Sequence, residues 1–212
     1  MTTDVLATAE PVSLRQRKRA RTRAALIAAA LGLFARQGYE ATTIDEIAAA
    51  ADVSPRTFFR YFASKEEVAL GDDLGPGILQ LLAARPADES LLESVRHVVA
   101  DSLVLVSEED REALLARLHI VYRTPSLRAR RWEFQLEMGR ISGATLAERR
   151  GLPPDDLGSR VTAAAVFTAI EVAMDHWQQH DGRDELGAVI DAAISHLGEA
   201  FGGSPGLRLP VA

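Results

Sequence analysis

Cysteine is absent from the 212 residues, which excludes disulfides, thiolate zinc sites and cysteine nucleophiles and leaves a composition consistent with the cytosol. Long apolar runs are missing as well. Nowhere do about 18 uncharged apolar residues stand together, and the opening MTTDVLATAEPVS carries acids but no apolar stretch of signal-peptide length. No G-x-x-x-x-G-K phosphate loop, G-x-S-x-G elbow or dinucleotide fingerprint occurs, and Gly202-Gly203-Ser204-Pro205-Gly206 reads as a flexible tail. His176 and His180 have metal-binding spacing on one helix, but with no acid between them and no further clear ligand they read as a solvated helix end. No strand pattern competes with the helical spacing. These absences predict a soluble, cytoplasmic, all-α protein without catalytic residues, cofactor, metal or membrane partner.

What is present is a normal core-forming composition, 47% hydrophobic, and an uneven distribution of charge. The net charge of -6 argues against a nucleic-acid partner, because affinity for phosphate comes largely from Lys and Arg. Yet residues 1–65 hold ten Lys and Arg against six Asp and Glu, whereas residues 66–212 hold fourteen against twenty-four. Six of those ten cations fall within nine positions: Arg15, Arg17, Lys18, Arg19, Arg21 and Arg23. That is a basic arm on an acidic protein, although the same cluster alone also suits a solvated helix face.

Apolar residues at Leu26, Ile27, Ala30, Leu31 and Phe34 mark a helix over Thr22–Gln37, stopped by Gly38. Thr43-Ile44-Asp45-Glu46 has the form of a capping box and opens a second helix to about Ala51. Ser54 with Pro55 opens a third, ending near Tyr61, and Ser64-Lys65-Glu66-Glu67 a fourth. Gly71 and Gly75-Pro76-Gly77 interrupt that fourth helix. Further helices are expected near 88–106, 109–123, 126–149, 156–179 and 184–201, making about nine in all.

Two short helices joined by Ala51-Asp52-Val53-Ser54 have helix-turn-helix form, in which the second helix enters the major groove. Ile44, Ile47, Ala48, Val53, Phe58 and Phe62 are spaced to pack inward. Pro55, Arg56, Thr57, Phe59, Arg60 and Tyr61 then face out, with guanidinium forks suited to guanine edges and rings suited to thymine methyls. Thr42, Thr43, Ser54, Thr57 and Lys65 stand at or near helix starts, where hydroxyl, ammonium and amide groups suit phosphate oxygens, and Arg17, Lys18, Arg19 and Arg21 add charge for the same backbone.

The stretch Ala24–Leu70 resembles the DNA-binding domain of the TetR family of bacterial regulators. The resemblance rests on Phe34, Gly38, Tyr39, Thr42, Thr43, Ile47 to Ala50, Val53, Ser54, Thr57, Phe59, Tyr61, Phe62 and Ser64 to Glu66 at their fixed offsets. It implies that Thr43, Thr57 and Lys65 hold phosphates and that Arg56 and Arg60 read bases. Two positions depart from the family pattern. Phe59 stands where Tyr is usual, removing a phosphate-bonding hydroxyl, and Asp52 stands where Gly is frequent, a site that Asp tolerates through its readiness for left-handed backbone.

The implied architecture is an N-terminal three-helix helix-turn-helix domain followed by a helical ligand-binding and dimerisation domain. The expected boundaries are a disordered 1–13, a DNA-binding domain at 14–70 with its motif at about 43–62, a body at 71–201 and a flexible tail at 202–212. The resemblance also implies that the last two helices pair with their copies in a homodimer, for which Val166, Ile170, Met174, Trp177, Ile190 and Ile194 are candidates. A small-molecule effector pocket is expected between body helices, with His97, Asp101, His119, Tyr122, Trp132, Phe134, Met138 and Phe167 as candidate lining, each equally suited to plain core packing. Palindromic operator DNA suits such a dimer. A ligand-independent, nucleoid-type DNA binder with a solid body is the competing reading.

Overall fold

The computed structural model describes residues 13–71, 80–86, 88–104 and 108–202, and the chain divides into two compact units at the Val68–Ala69 junction. We call them the head and the body. Most of the expected N-terminal segment, the Gly75-Pro76-Gly77 interruption and the tail beyond Gly202 lie outside the described residues.

Among the described residues the head carries α1 (Leu14–Gln37), α2 (Ile44–Ala50), α3 (Pro55–Phe58) and the start of α4 (Lys65–Leu70). The first helix begins well before Thr22, so the basic cluster is the opening of α1 rather than a separate arm. Its start is a capping box: the Gln16 amide donates to Ser13 Oγ at 3.2 Å and the Ser13 amide to Gln16 Oε1 at 2.8 Å. Leu26, Ala30 and Phe34 from α1, Ile47 and Ala48 from α2, and Phe58 and Phe62 beyond them are buried together. At α4 the Glu67 amide donates to Ser64 Oγ at 3.2 Å, while the Glu67 carboxylate accepts from the amide of Ala63.

The body comprises α5 (Leu91–Val104), α6 (Glu108–Arg123), α7 (Pro125–Arg149), α8 (Leu157–Gln179) and α9 (Leu186–Gly202), with a helical turn at 80–83 before them. The Asp156 carboxylate caps α8 by accepting from the Ser159 amide at 2.7 Å. Close packing of α7 on α8 depends on small residues: a Cβ at Gly143 would lie 2.9 Å from the Cα of Arg160. By length and hydropathy alone α8 is also long and apolar enough to cross a membrane. Here its apolar side builds the body core, with Val166, Ala173 and Trp177 against Val95 and Val98 of α5, Leu118 of α6 and Ile190 and Ile194 of α9.

Of the residues expected at the dimer surface, Val166, Trp177, Ile190 and Ile194 are buried within their own chain, and Ile170 and Met174 are partly buried against the same core. The broad apolar surface read from the sequence is real, but it is divided between two sides of α8. Away from that core α8 carries exposed Leu157 and Val161, while Ala164 lies beside Gly139 of α7.

Candidate nucleic-acid interface

The α2–α3 turn is closed by backbone hydrogen bonds from Asp52 to Ala49 at 3.1 Å and from Val53 to Ala48 at 3.0 Å. Asp52 adopts φ +54, the left-handed conformation anticipated for an Asp in place of Gly. Ser54 caps α3 by accepting from the Thr57 amide at 3.2 Å, and Pro55 occupies the first position, where its missing N–H has no helical partner to lose. Regular helix ends at Phe58, but bonds from Phe59, Arg60, Tyr61 and Phe62 back to residues 55–58 carry the turn onward. Phe58 points into the core against Phe62, and Phe59, 56% exposed, meets the Phe58 ring edge-on. Pro55, Arg56 and Arg60 are exposed beside it, with Thr57 and Tyr61 half-buried.

Positive charge gathers on this face from two elements. The Arg60 guanidinium lies 5.3 Å from the Tyr61 ring centroid and that of Arg23 5.0 Å from Phe62, so α1 runs alongside the end of the α3 turn. Partial burial would raise the Tyr61 phenol, yet it lies below its usual value because hydrogen bonds with Thr22 and Arg60, and the charges of Arg60 and Arg19, outweigh that effect. A phenol so placed is a better donor to an anion. Arg17, Lys18, Arg19 and Arg21 are exposed on the same helix. The role of Thr22 had no motif to announce it.

Three expected phosphate ligands are otherwise engaged. Thr42 is 2% exposed and its hydroxyl donates to the Gly38 carbonyl at 2.8 Å, so it builds the turn and is closed off from DNA. Thr43 is exposed, but its hydroxyl accepts from the Glu46 amide at 3.2 Å and donates to Glu46 Oε2 at 2.9 Å. Those bonds, the Thr43 backbone amide first, hold the Glu46 carboxyl below its usual range. Lys65 turns its ammonium onto backbone carbonyls of the α1–α2 connection. The Ser54 and Thr57 hydroxyls bond each other at 3.0 Å at the mouth of α3.

In the body, α6, α7 and α8 enclose an open cleft of about 450 Å³. Of the eight expected lining residues it brings together His119, Tyr122 and Trp132. His97 lies elsewhere, 2.6 Å from Glu89, and Asp101 is exposed on α5. Phe134 is exposed, while Met138 and Phe167 are half-buried outside the cleft wall. The cleft floor is a charged network instead. Glu171 accepts from Tyr122 Oη, Arg131 Nε and Gln135 Nε2, each at 2.7 Å, and both members of the Arg131–Glu171 pair are largely buried. Burial pushes the Tyr122 phenol up and Glu171 adds to that, against the opposing charge of Arg131. Arg123, Arg128, Asp175 and Asp181 on the walls roughly balance in charge. No local motif links Glu171 to partners 36 to 49 residues away. His176 and His180 stack with centroids 4.1 Å apart, and no group of three metal-capable side chains occurs among the described residues.

Comparison with known proteins agrees with this architecture along both units. A model of the bacterial regulatory proteins of the tetR family matches residues 26–70, and a model of the MftR C-terminal domain matches residues 89–202. The HTH-type transcriptional regulator TcmR of Streptomyces glaucescens is 38% identical over 194 residues, spanning 87% of this chain and 86% of its own. Among solved structures, the triclosan complex of SmeT, repressor of a Stenotrophomonas maltophilia efflux pump, matches with a TM-score of 0.60 at 18% identity over 90% of this chain and 99% of that one. Thermus thermophilus FadR in complex with lauroyl-CoA matches with a TM-score of 0.51 at 23% identity over 90% and 100%. These two attest the fold, and the curated relative attests the role: the chain belongs to the TetR family of bacterial DNA-binding transcriptional regulators, not to a family of enzymes.

Proposed function

We propose that the protein is a cytoplasmic homodimeric repressor that holds a palindromic operator through α2, α3 and the basic opening of α1, and leaves it when a small molecule enters the body. The observation that carries the DNA half is the exposed set Arg56, Phe59 and Arg60 on a capped, rigid turn, flanked by exposed cations of α1. Arg56 and Arg60 read base edges, Phe59 supplies apolar contact, and Arg17, Lys18, Arg19 and Arg21 grip the backbone.

For dimerisation we assign the outer side of α8. Leu157 and Val161 stand one turn apart, and their 73% and 58% exposure leaves an apolar patch that a copy of the same helix would cover. The effector site we assign to the α6–α7–α8 cleft, whose size falls in the range of drug-sized pockets, roughly 300–1,000 Å³. Two proteins of the same fold, SmeT and FadR, were solved with small molecules bound.

Selection of a randomised duplex pool by the purified protein at fixed salt, with sedimentation of the complex, tests this reading. A two-fold symmetric site bound by an even number of chains is expected, and Arg56→Ala and Arg60→Ala should each cost about 1–3 kcal/mol and relax preference at particular base pairs. Uniform binding to all sequences would leave a nucleoid-type binder.

A further inference from the structure

Two exposed apolar side chains stand in the wall of the open cleft between α6, α7 and α8: Trp132 of α7, 48% exposed, and Val172 of α8. Each continues a line of others. Exposed Leu136 follows Trp132 by one turn of α7. Val172 follows Val161 by eleven residues, which is three whole turns of α8 to within about 20°. The apolar patch of Leu157 and Val161 and the Val172 wall of the cleft therefore share one face of one helix, with Val161 and Val172 about 16 Å apart along its axis.

We infer that a second copy of the chain forms the outer wall of the α6–α7–α8 cleft, laying its own α8 over Val172 and Trp132, so that a small molecule held there touches both subunits. The inference rests on the assignments of the dimer face to α8 and of the effector site to this cleft. A stable interface buries about 800 Å² on each partner, and Leu157 and Val161 supply only a small fraction of that, so the contact must extend beyond them. The exposed positions of α9 offer Ala188, Asp191, Ala192, His196 and Glu199, all small or charged. Val172, Trp132 and Leu136, all large and exposed, lie along α8 and α7 toward the cleft. The cleft wall also carries both signs of charge, Arg123 and Arg128 with Asp175 and Asp181. A surface of mixed charge can meet its own copy about a two-fold axis, where a surface of one sign would repel it. Closure excludes water from above Glu171 and strengthens the bonds that Tyr122, Arg131 and Gln135 already make to it. Occupancy and dimerisation are then linked, each changing the affinity of the other by the same factor.

The chain holds two tryptophans, and Trp177 is buried, so acrylamide in solution reaches Trp132 alone. Wild-type protein is diluted through its dissociation range, with sedimentation and acrylamide quenching read on the same samples. Quenching of Trp132 should be weak in the dimer and should rise, with a red shift of emission, as the copies separate. A dimer whose Trp132 is quenched as readily as in the monomer overturns the inference and leaves the dimer in place. A chain that never dimerises sinks the dimer assignment and takes the inference with it. Trp132→Ala should weaken the dimer about tenfold or more, as truncation of a buried interface aromatic does, whereas Phe134→Ala, on another side of α7, should leave it unchanged. Equal dimer constants for wild type and Trp132→Ala count against closure. For a dimer too tight to dilute, or a variant that does not fold, wild-type dimers assembled from one isotope-labelled and one unlabelled chain decide. Contacts across the subunits from the Trp132 ring and the Val172 methyls are expected, and their absence overturns the inference. No ligand enters these measurements, so their outcome is separate from whether the cleft is the effector site.

Discussion

The head and the body hold their functional side chains by opposite means. In the head, a hydroxyl accepts from the amide three residues on at each helix start, and the exposed face of α3 stays in solvent above a small apolar core. In the body, the cleft floor is a carboxylate held below the surface by residues from two other helices. Local bonds make a stiff surface that presents charge to a partner. Distant bonds make a buried charge whose partners must move together, an arrangement suited to two discrete states more than to a fixed shape.

The comparison breaks most sharply at Glu171. Glu171→Leu strands the Arg131 guanidinium, 13% exposed, and should cost about 3–5 kcal/mol in denaturant unfolding, while Arg131→Met combined with it should restore stability to wild type or above. If the single substitution is silent, the buried pair does not hold the body in the way described. In the head a comparable deletion is cheaper because water can replace what is lost. Thr43→Ala should cost about 1 kcal/mol, seen as faster amide exchange in α1 and α2 with body amides unchanged. Smaller again is an acid effect in the body. Glu89, bonded to Arg85 first and also to Ser94 and His97, titrates at about 2 rather than 4.5. A depressed carboxylate stabilises the fold while ionised, so that contribution is present above 4.5 and disappears as pH falls toward about 2. Glu89→Gln should flatten the acid limb of the stability profile across that window and lower the neutral plateau toward the level that wild type reaches in acid.

The same contrast explains what could be read from the chain. Thr43 with Glu46, Ser54 with Pro55 and the inward Phe58 and Phe62 were legible because their partners lie within one turn, and such spacing survives as a pattern in a linear sequence. Asp52 was legible for the same reason, as a residue chosen by one backbone angle. Ser13 and Gln16 form the capping box that opens α1, at the edge of a stretch whose charge alone reads as an arm. Position near a helix start does not say which way a side chain turns: the Thr42 hydroxyl bonds the Gly38 carbonyl, and the Lys65 ammonium a carbonyl more than twenty residues away. In the body, His119, Tyr122 and Trp132 shared a cleft, while Glu171, Arg131 and Gln135 had no signal at all. An apolar helix with two faces, as in α8, records that both are apolar without recording which one the chain covers itself.

The opening of α1 has a consequence of its own. Residues 14–21 are exposed along their whole circumference, with no acid in the first turn and like charges spaced four apart at Arg15 and Arg19, Arg17 and Arg21, and Arg19 and Arg23. Such pairs oppose the helix they stand on by roughly 0.2–0.5 kcal/mol each, and positive charge at the N-terminus adds to the strain. Added salt therefore relieves the free protein while it weakens the grip on a duplex. Helicity of this segment should rise with ionic strength as affinity falls, two salt responses of opposite sign, and a duplex, by supplying the missing anions, acts on α1 as a concentrated electrolyte laid along one side.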